Sequence, residues 1–355
     1  MTSRRSLLGS ASIAAAFCMA QPIAALSDEP VPVVATFSII GDMVERIGGA
    51  HVALTTLVGP NGDAHVYQPT PQAARAVAEA DILFMNGLEF EGWLERLAEA
   101  ADFKGSTVTV TTGIEPIAFD EDDHEEHEEH EKHGHEEEHD HDHEEEHAEA
   151  EHHDHGHEKE HAEINEHDEH GHEHHGHDHG AYDPHAWHSI ENAVVYVDNI
   201  TAGLAEADPA NAGDYHANRA SYVNELNALA TEVKAMMESV RDDKRTVVTS
   251  HDAFGYFADA YGLSFTAPQG LSTESEVSAA DVSRLITQIR EEKISAVFVE
   301  SITDNRILEQ IANETGAAIG GTLYSDALSD KDGPASTYID MIRHNATTIS
   351  QALSR

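Results

Sequence analysis

The sequence predicts an α/β fold of two doubly wound, parallel-sheet lobes joined by a long rigid helix. Three observations point to it. Short, apolar, β-branched runs alternate with amphipathic helical stretches on both sides of the chain, the rhythm that builds parallel sheets from βαβ units. Between the two series, a helical pattern runs unbroken from about Asp208 to Val240; some thirty helical residues span about 45 Å, too long for one small lobe. A His/Glu/Asp tract at 120–182 interrupts the first series and contributes almost no apolar side chain.

The first series opens at Val31–Phe37 (VPVVATF), a run suited to a buried parallel strand. A helix is expected over Ser38–Ile47, stopped by Gly48-Gly49, and a strand over His51–Val58. The turn-rich loop Gly59-Pro60-Asn61-Gly62-Asp63-Ala64-His65 follows. Pro71–Ala80 has helical composition with proline in its first turn. Strands at Asp81–Met85 and Thr107–Val110 then flank a helix at Glu91–Ala100. Beyond the tract, a helix at Glu191–Ala207 precedes the long helix, whose apolar positions are Tyr215, Tyr222, Leu226, Leu229, Val233 and Met236/Met237. The second series places strands at Thr246–Thr249, Leu263–Ala267, Ala296–Val299 and Ala318–Leu323. Its helices are expected at Ala253–Tyr261, Val277–Glu292, Asn305–Thr315 and Tyr338–Leu353. The domain reading is an export signal at 1–27, a first lobe at 28–207 that includes the tract, a linking helix at 208–241 and a second lobe at 242–355.

The formal net charge of −47 is not a property of the folded lobes, because more than half of it sits in the tract. Its composition cannot offset the entropy of ordering, so disorder without metal is expected there. The balance excludes nucleic acid, which needs clustered Lys and Arg, and is compatible with attracting cations. Arg4 and Arg5, the apolar run Leu7–Ala20 and small residues near Ala24, Ala25 and Ser27 read as a cleaved signal, which places the mature chain in the periplasm. Ser3–Leu8 weakly resembles a twin-arginine signal; the ordinary reading is preferred. The single cysteine, Cys18, lies within that signal with Phe17 before it, where a lipid anchor needs a small residue. The mature chain is then free of thiols, and any metal site must use imidazole and carboxylate.

All but seven of the 28 histidines lie in the tract. The seven are His51, His65, His185, His188, His216, His251 and His344. His65, His185 and His251 fall in loops after or beside strands, where open α/β sheets place ligand groups, and Asp326 holds the equivalent place after the last strand. Three imidazoles and a carboxylate suit a four-coordinate zinc site. Each has an ordinary alternative: a solvated loop histidine at His65, the end of the tract at His185, a helix-start donor at His251, an N-cap or turn at Asp326. Spacing alone does not assemble four distant loops. His51 on a strand, His216 on the long helix and His344 on the last helix read as structural, and His188 as a helix-start residue. Glu300, ending a strand toward the same cleft, is either a partner behind a ligand or a competing carboxylate ligand.

Four ordered segments carry a resemblance. They are Asp63–Pro71 (DAHVYQPTP), Asp183–Trp187 (DPHAW), Ser250–Phe257 (SHDAFGYF) and Phe298–Glu300 (FVE). Together they resemble the metal-binding solute-binding proteins of ABC transporters (cluster A-I, or cluster 9), and within these the periplasmic zinc-uptake type with a His-rich loop. The resemblance implies two lobes joined by a rigid helix, with the metal between them. It implies His65, His185 and His251 as ligands and Asp326 as the fourth, where some zinc members use water or a neighbouring acidic residue. Manganese members have Glu where this chain has His251, so imidazole there favours Zn²⁺.

The expected function is zinc capture in the periplasm and delivery to the permease of an ABC importer, with the tract as an auxiliary weak zinc collector. The partners expected are the zinc ion, the membrane permease and a periplasmic zinc chaperone, with the protein itself a monomer. A manganese- or iron-binding member of the same family, and a zinc buffer or adhesin without a transport role, are the alternatives. A zinc hydrolase would need an open position for water and a general base, and no HExxH-type helix is present outside the tract.

Overall fold

The computed structural model describes residues 29–118 and 181–354. The expected signal at 1–27, Cys18 and the tract through residue 180 lie outside the described residues. The rest forms two four-stranded sheets in which every pairing is parallel.

The first sheet contains β1 (Val31–Phe37), β2 (Val52–Val58), β3 (Ile82–Met85) and β4 (Ser106–Thr109) in the order β2-β1-β3-β4. Its helices are α1 (Ser38–Gly48), α2 (Pro71–Glu79), α3 (Leu94–Ala100) and α4 (Ile190–Ala207). The second has β5 (Thr246–Val248), β6 (Ser264–Thr266), β7 (Ala296–Glu300) and β8 (Ala318–Leu323) in the order β6-β5-β7-β8. Its helices are α6 (Gly255–Tyr261), α7 (Ala279–Glu292), α8 (Arg306–Thr315) and α9 (Tyr338–Leu353). The same order appears twice, and sheets of this kind place ligands in a crevice beyond the C-terminal ends of their strands.

The long helix, α5 (Ala212–Glu238), lies between the two series. Tyr215, Tyr222, Leu226, Leu229, Val233 and Met237, spaced by one or two helical turns, form its buried stripe. It packs on α1 and α4 of the first lobe and on α9 and α6 of the second. One continuous apolar core therefore runs through both lobes along the helix. A smaller cluster, including Val248, Leu285, Ile289, Val297 and Ile311, sits where β5 and β7 meet α7 and α8. A shared core fastens the lobes more firmly than a flexible linker would.

Some boundaries differ from expectation, for local reasons. The long helix starts at Ala212 because Asp208 accepts from Asn211 Nδ2 at 2.7 Å and from the Tyr215 hydroxyl at 2.8 Å, closing a turn ahead of it. The helix expected from Glu91 starts at Leu94, after Leu88 and Glu89 take positive φ. The Glu91 carboxylate there accepts from the backbone N–H groups of Asn86 (2.7 Å) and Gly87 (3.1 Å) and from the Thr36 hydroxyl (2.6 Å). His51 is not on a strand: it ends a 3-10 turn at Gly49–His51 and pairs with Asp214 at 2.9 Å.

Candidate metal centre

Four of the five candidate side chains come from the C-terminal end of a strand or from the loop beyond it, and the fifth, His185, comes from the segment that leads into a helix. His65 follows β2, His251 follows β5, Glu300 closes β7, Asp326 follows β8, and His185 precedes α4. His65, His185, His251 and Asp326 come together, each offering one donor atom, with all four atoms within 4.8 Å of one another. Asp326 is the hub. Its Oδ2 lies 3.1 Å from His65 Nε2 and 3.3 Å from His251 Nε2, and its Oδ1 lies 3.7 Å from His185 Nε2.

The three Nε2 atoms and both Asp326 oxygens are buried, and none makes a directional hydrogen bond. Buried polar atoms are nearly always satisfied, so five orphans converging on one point fit a cation that binds all of them. The cluster mixes charge in a low-dielectric pocket. Burial opposes charge on His251, but the Glu300 and Asp326 carboxylates outweigh it and hold its pKa well above the ordinary value. Burial likewise opposes charge on Asp326, and the surrounding His251 and His185 outweigh it, holding its pKa well below the carboxylate norm.

Two of the imidazoles are oriented from behind. Asp183 Oδ1 lies 2.8 Å from His185 Nδ1 and accepts the His185 backbone N–H at 2.9 Å. Glu300 Oε2 lies 2.6 Å from His251 Nδ1, while its Oε1 accepts from the backbone N–H groups of Ser250 (2.7 Å) and His251 (2.9 Å). A carboxylate on Nδ1 fixes the tautomer that presents the Nε2 lone pair to a metal. Glu300 thus stands behind His251, outside the four-donor cluster.

Ring packing sets the remaining angles. His65 meets Phe90 edge-on at 4.7 Å, and His185 meets Trp187 at 5.3 Å. The Trp187 indole N–H donates to Ser325 O at 2.9 Å, next to Asp326, and the Tyr338 hydroxyl donates to Trp187 O at 2.7 Å. Behind them, Asn86 Nδ2 donates to Pro184 O at 2.9 Å, which holds the segment leading into His185.

The other histidines do not join the cluster. His216 is exposed on α5, and His344 Nε2 lies 3.0 Å from Thr322 O. His188 corrects the helix-start reading. It is fully buried in a 3-10 turn, its ring tilted against Phe254 at 4.5 Å, with neither ring nitrogen hydrogen-bonded. Burial first, then the nearby His185, pushes its pKa down to about 3. Asp183 was legible in the sequence as the aspartate two residues before a histidine. Asp63 stands in the same relation to His65, whereas the role of Thr273, described below, had no such signal.

Known proteins resemble this chain over most of its length. The chain is 28% identical over 342 residues to the manganese-binding lipoprotein MntA of Halalkalibacterium halodurans, covering 96% of this chain and 95% of that protein. It is 29% identical over 323 residues to the iron-binding protein YfeA of Yersinia pestis, covering 91% and 86%. Among solved structures, a Mn-bound periplasmic metal-binding protein from Candidatus Liberibacter asiaticus matches with TM-score 0.71 and 31% identity, over 92% of this chain and all of that one. The periplasmic zinc-binding protein TroA from Treponema pallidum matches with TM-score 0.73 and 26% identity over the same shares. Among the described residues, no helix is long and apolar enough to cross a membrane. The family's members are substrate-binding proteins of ABC transporters, not enzymes. With residues 33–352 matching the model for the periplasmic component A of the zinc-uptake complex, this chain belongs to that family and is a metal-binding substrate-binding protein of an ABC transporter.

Proposed function

We propose that His65, His185, His251 and Asp326 together bind Zn²⁺ as cargo, captured outside the cytoplasm and delivered to the permease of an ABC importer. The observation that carries this is the donor set, three Nε2 atoms and one carboxylate, all buried and otherwise unpartnered. Imidazole nitrogen is a better ligand for zinc than for the harder Mn²⁺, and four donors match zinc's tetrahedral preference. Carboxylates on two Nδ1 positions add basicity to the ligands, which strengthens binding of a Lewis-acidic ion.

A second reading has specific support. Relatives that cover most of this chain are named for manganese or iron, and a second oxygen of Asp326 would offer such an ion the higher coordination it prefers. Competition titration of the purified mature chain separates the two. Zinc is expected to displace manganese by several orders of magnitude at one tight site, and protein purified without added metal is expected to carry zinc. Preferential retention of manganese or iron in both measurements would reverse the assignment. We assign the tract a supporting role as a tethered, low-affinity zinc collector. Deletion of residues 121–180 is expected to remove weak equivalents and leave the tight one.

A further inference from the structure

Three of the four candidate ligands are cross-tied into the second lobe. The Trp187 indole holds the backbone beside Asp326, and Tyr338 holds Trp187. The Tyr256 hydroxyl donates to Asp183 O at 2.9 Å and accepts from the Ile117 backbone N–H at 3.2 Å. Asp183 also presses on Gly255, where an added Cβ would lie 2.4 Å from Asp183 Oδ2. Gly255 and Tyr256 begin α6, just beyond His251. His185 is therefore gripped by the element that follows His251.

His65 is tied differently. Its backbone N–H donates to Asp63 Oδ1 at 2.9 Å, and the other oxygen, Asp63 Oδ2, accepts the Thr273 hydroxyl at 2.7 Å. Thr273 belongs to the loop between β6 and α7. Gln269 Nε2 shapes that loop by donating to Thr273 O at 2.8 Å and to Ser275 O at 2.7 Å. Gln269 in turn forms a parallel β-bridge with His251, and its carbonyl accepts the Asp252 N–H at 3.1 Å. A strap thus runs from His251 through Gln269, Thr273 and Asp63 to His65 without passing through the metal position. Two further bonds reach the backbone of the His65 loop: Asn61 N–H donates to Leu328 O at 2.8 Å at its near end, and the Trp93 indole of the first lobe donates to Ala64 O at 2.7 Å.

We propose that Thr273 is the latch of this strap, a positioning residue that acts on His65 through Asp63 and sets the rate at which bound metal escapes. The proposal rests on reading the four-residue cluster as the cargo site. A closed four-donor site loses its ion only after one ligand swings away. His65 is the ligand built to do so: its side chain keeps 6% exposure where His185, His251 and Asp326 keep none. Among the described residues no carboxylate is paired with its Nδ1, and Gly59, Pro60 and Gly62 precede it. The side-chain bond that fastens its turn to the second lobe is Thr273 to Asp63.

The test is stopped-flow removal of zinc from the full mature chain by excess chelator, following the slow phase that belongs to the tight site. Thr273→Val keeps the shape and removes the hydroxyl. It is expected to speed the slow phase roughly ten- to a hundredfold, the range for losing a hydrogen bond to a charged group. The association rate should stay within about twofold, and Thr273→Ser should release zinc at the wild-type rate. If the valine variant does not fold, Thr273→Ala repeats the measurement with less bulk at the position. Release within about threefold of wild type in the hydroxyl-free variant, or a serine variant as fast as it, would overturn the latch. Failure of the wild-type chain to hold one tight zinc would instead overturn the cargo-site reading and leave the hydrogen-bond geometry as it stands.

Discussion

His65 and His251 present the same atom to the same carboxylate oxygen, at 3.1 and 3.3 Å, yet the chain secures them in different ways. His251 sits at the end of a central strand, fully buried, with Glu300 on its Nδ1 and on its own backbone N–H. His65 sits in a turn-rich loop, oriented by the edge of Phe90 and by one aspartate that faces the opposite lobe. One imidazole is part of the scaffold and the other is held against it. A carrier that must bind tightly and still surrender its cargo needs both kinds of ligand, because a uniformly rigid site would slow release along with loss. The core shared along α5 limits wide lobe separation, so the adjustable ligand is the economical place for that freedom.

The largest expected effect comes from removing the scaffold ligand. His251→Ala should weaken zinc binding about a thousandfold or more, since outer partners of metal ligands alone are worth about 10–100-fold. It should also destabilise the metal-free protein by about 3–5 kcal/mol, because Glu300 and Asp326 are left buried without their cation. His65→Ala should cost affinity without that stability loss, as water can reach the position it leaves. Chelator-competition titration and thermal melts check both. Equal stability losses in the two variants would erase the distinction between them.

Next in size are the carboxylates behind the rings. Glu300→Gln should lower zinc affinity about 10–100-fold. Asp183→Asn should do the same to a similar or smaller degree. Among the described residues His65 has no such partner to lose. Isothermal titration of both variants is the measurement, and an unchanged affinity in Glu300→Gln would show that His251 needs no orientation from behind.

The same pair makes a pH prediction. The His251 pKa is raised in the metal-free fold, so its stabilising contribution is complete below the ordinary value of about 6.5 and is lost as pH rises through the folded value. Asp326 is depressed, so its contribution is present above about 3.8 and is lost as pH falls through its folded value. Zinc must displace the His251 proton. Apparent affinity should therefore fall by about tenfold for each pH unit from 7.5 down to 5.5, and the zinc-induced rise in Tm should shrink in parallel. A flat response over this window would mean that His251 is already neutral in the metal-free protein.

Most of the fold was legible because its signals are local. β-branched runs mark strands, the stripe from Tyr215 to Met237 marks the connecting helix, and loop positions after strands mark ligand candidates. The boundaries that moved did so where a carboxylate closes a turn of its own: Asp208 holds the side chains of Asn211 and Tyr215, and Glu91 takes the backbone N–H groups of Asn86 and Gly87. The donor cluster took four loops far apart in sequence, so residue type and place could nominate its members, while convergence required the strand order. Thr273 shows the remaining gap. A hydroxyl bonded to a carboxylate 210 positions away has no periodicity and no motif to announce it.

His188 gives the smallest effect and the sharpest control on which histidines matter. It lies three residues after the candidate ligand His185 and is buried as completely as His251. But it faces Trp187 and Phe254, and both ring nitrogens are without hydrogen bonds. A group kept neutral by burial, with its pKa near 3, offers the unfolded chain a proton that the fold refuses, so it lowers stability as pH drops from about 6.5 toward 3. His188→Leu fills similar space and removes the unsatisfied polar atoms, which should stabilise the metal-free protein by about 1–3 kcal/mol at pH 5 and by less at pH 8. Zinc affinity should stay within about threefold. Thermal melts at the two pH values and one titration decide the matter. A large loss of affinity in this variant would mean that His188 supports the site through the Trp187 and Phe254 rings, and that the division between scaffold and adjustable ligands extends one turn further along the chain.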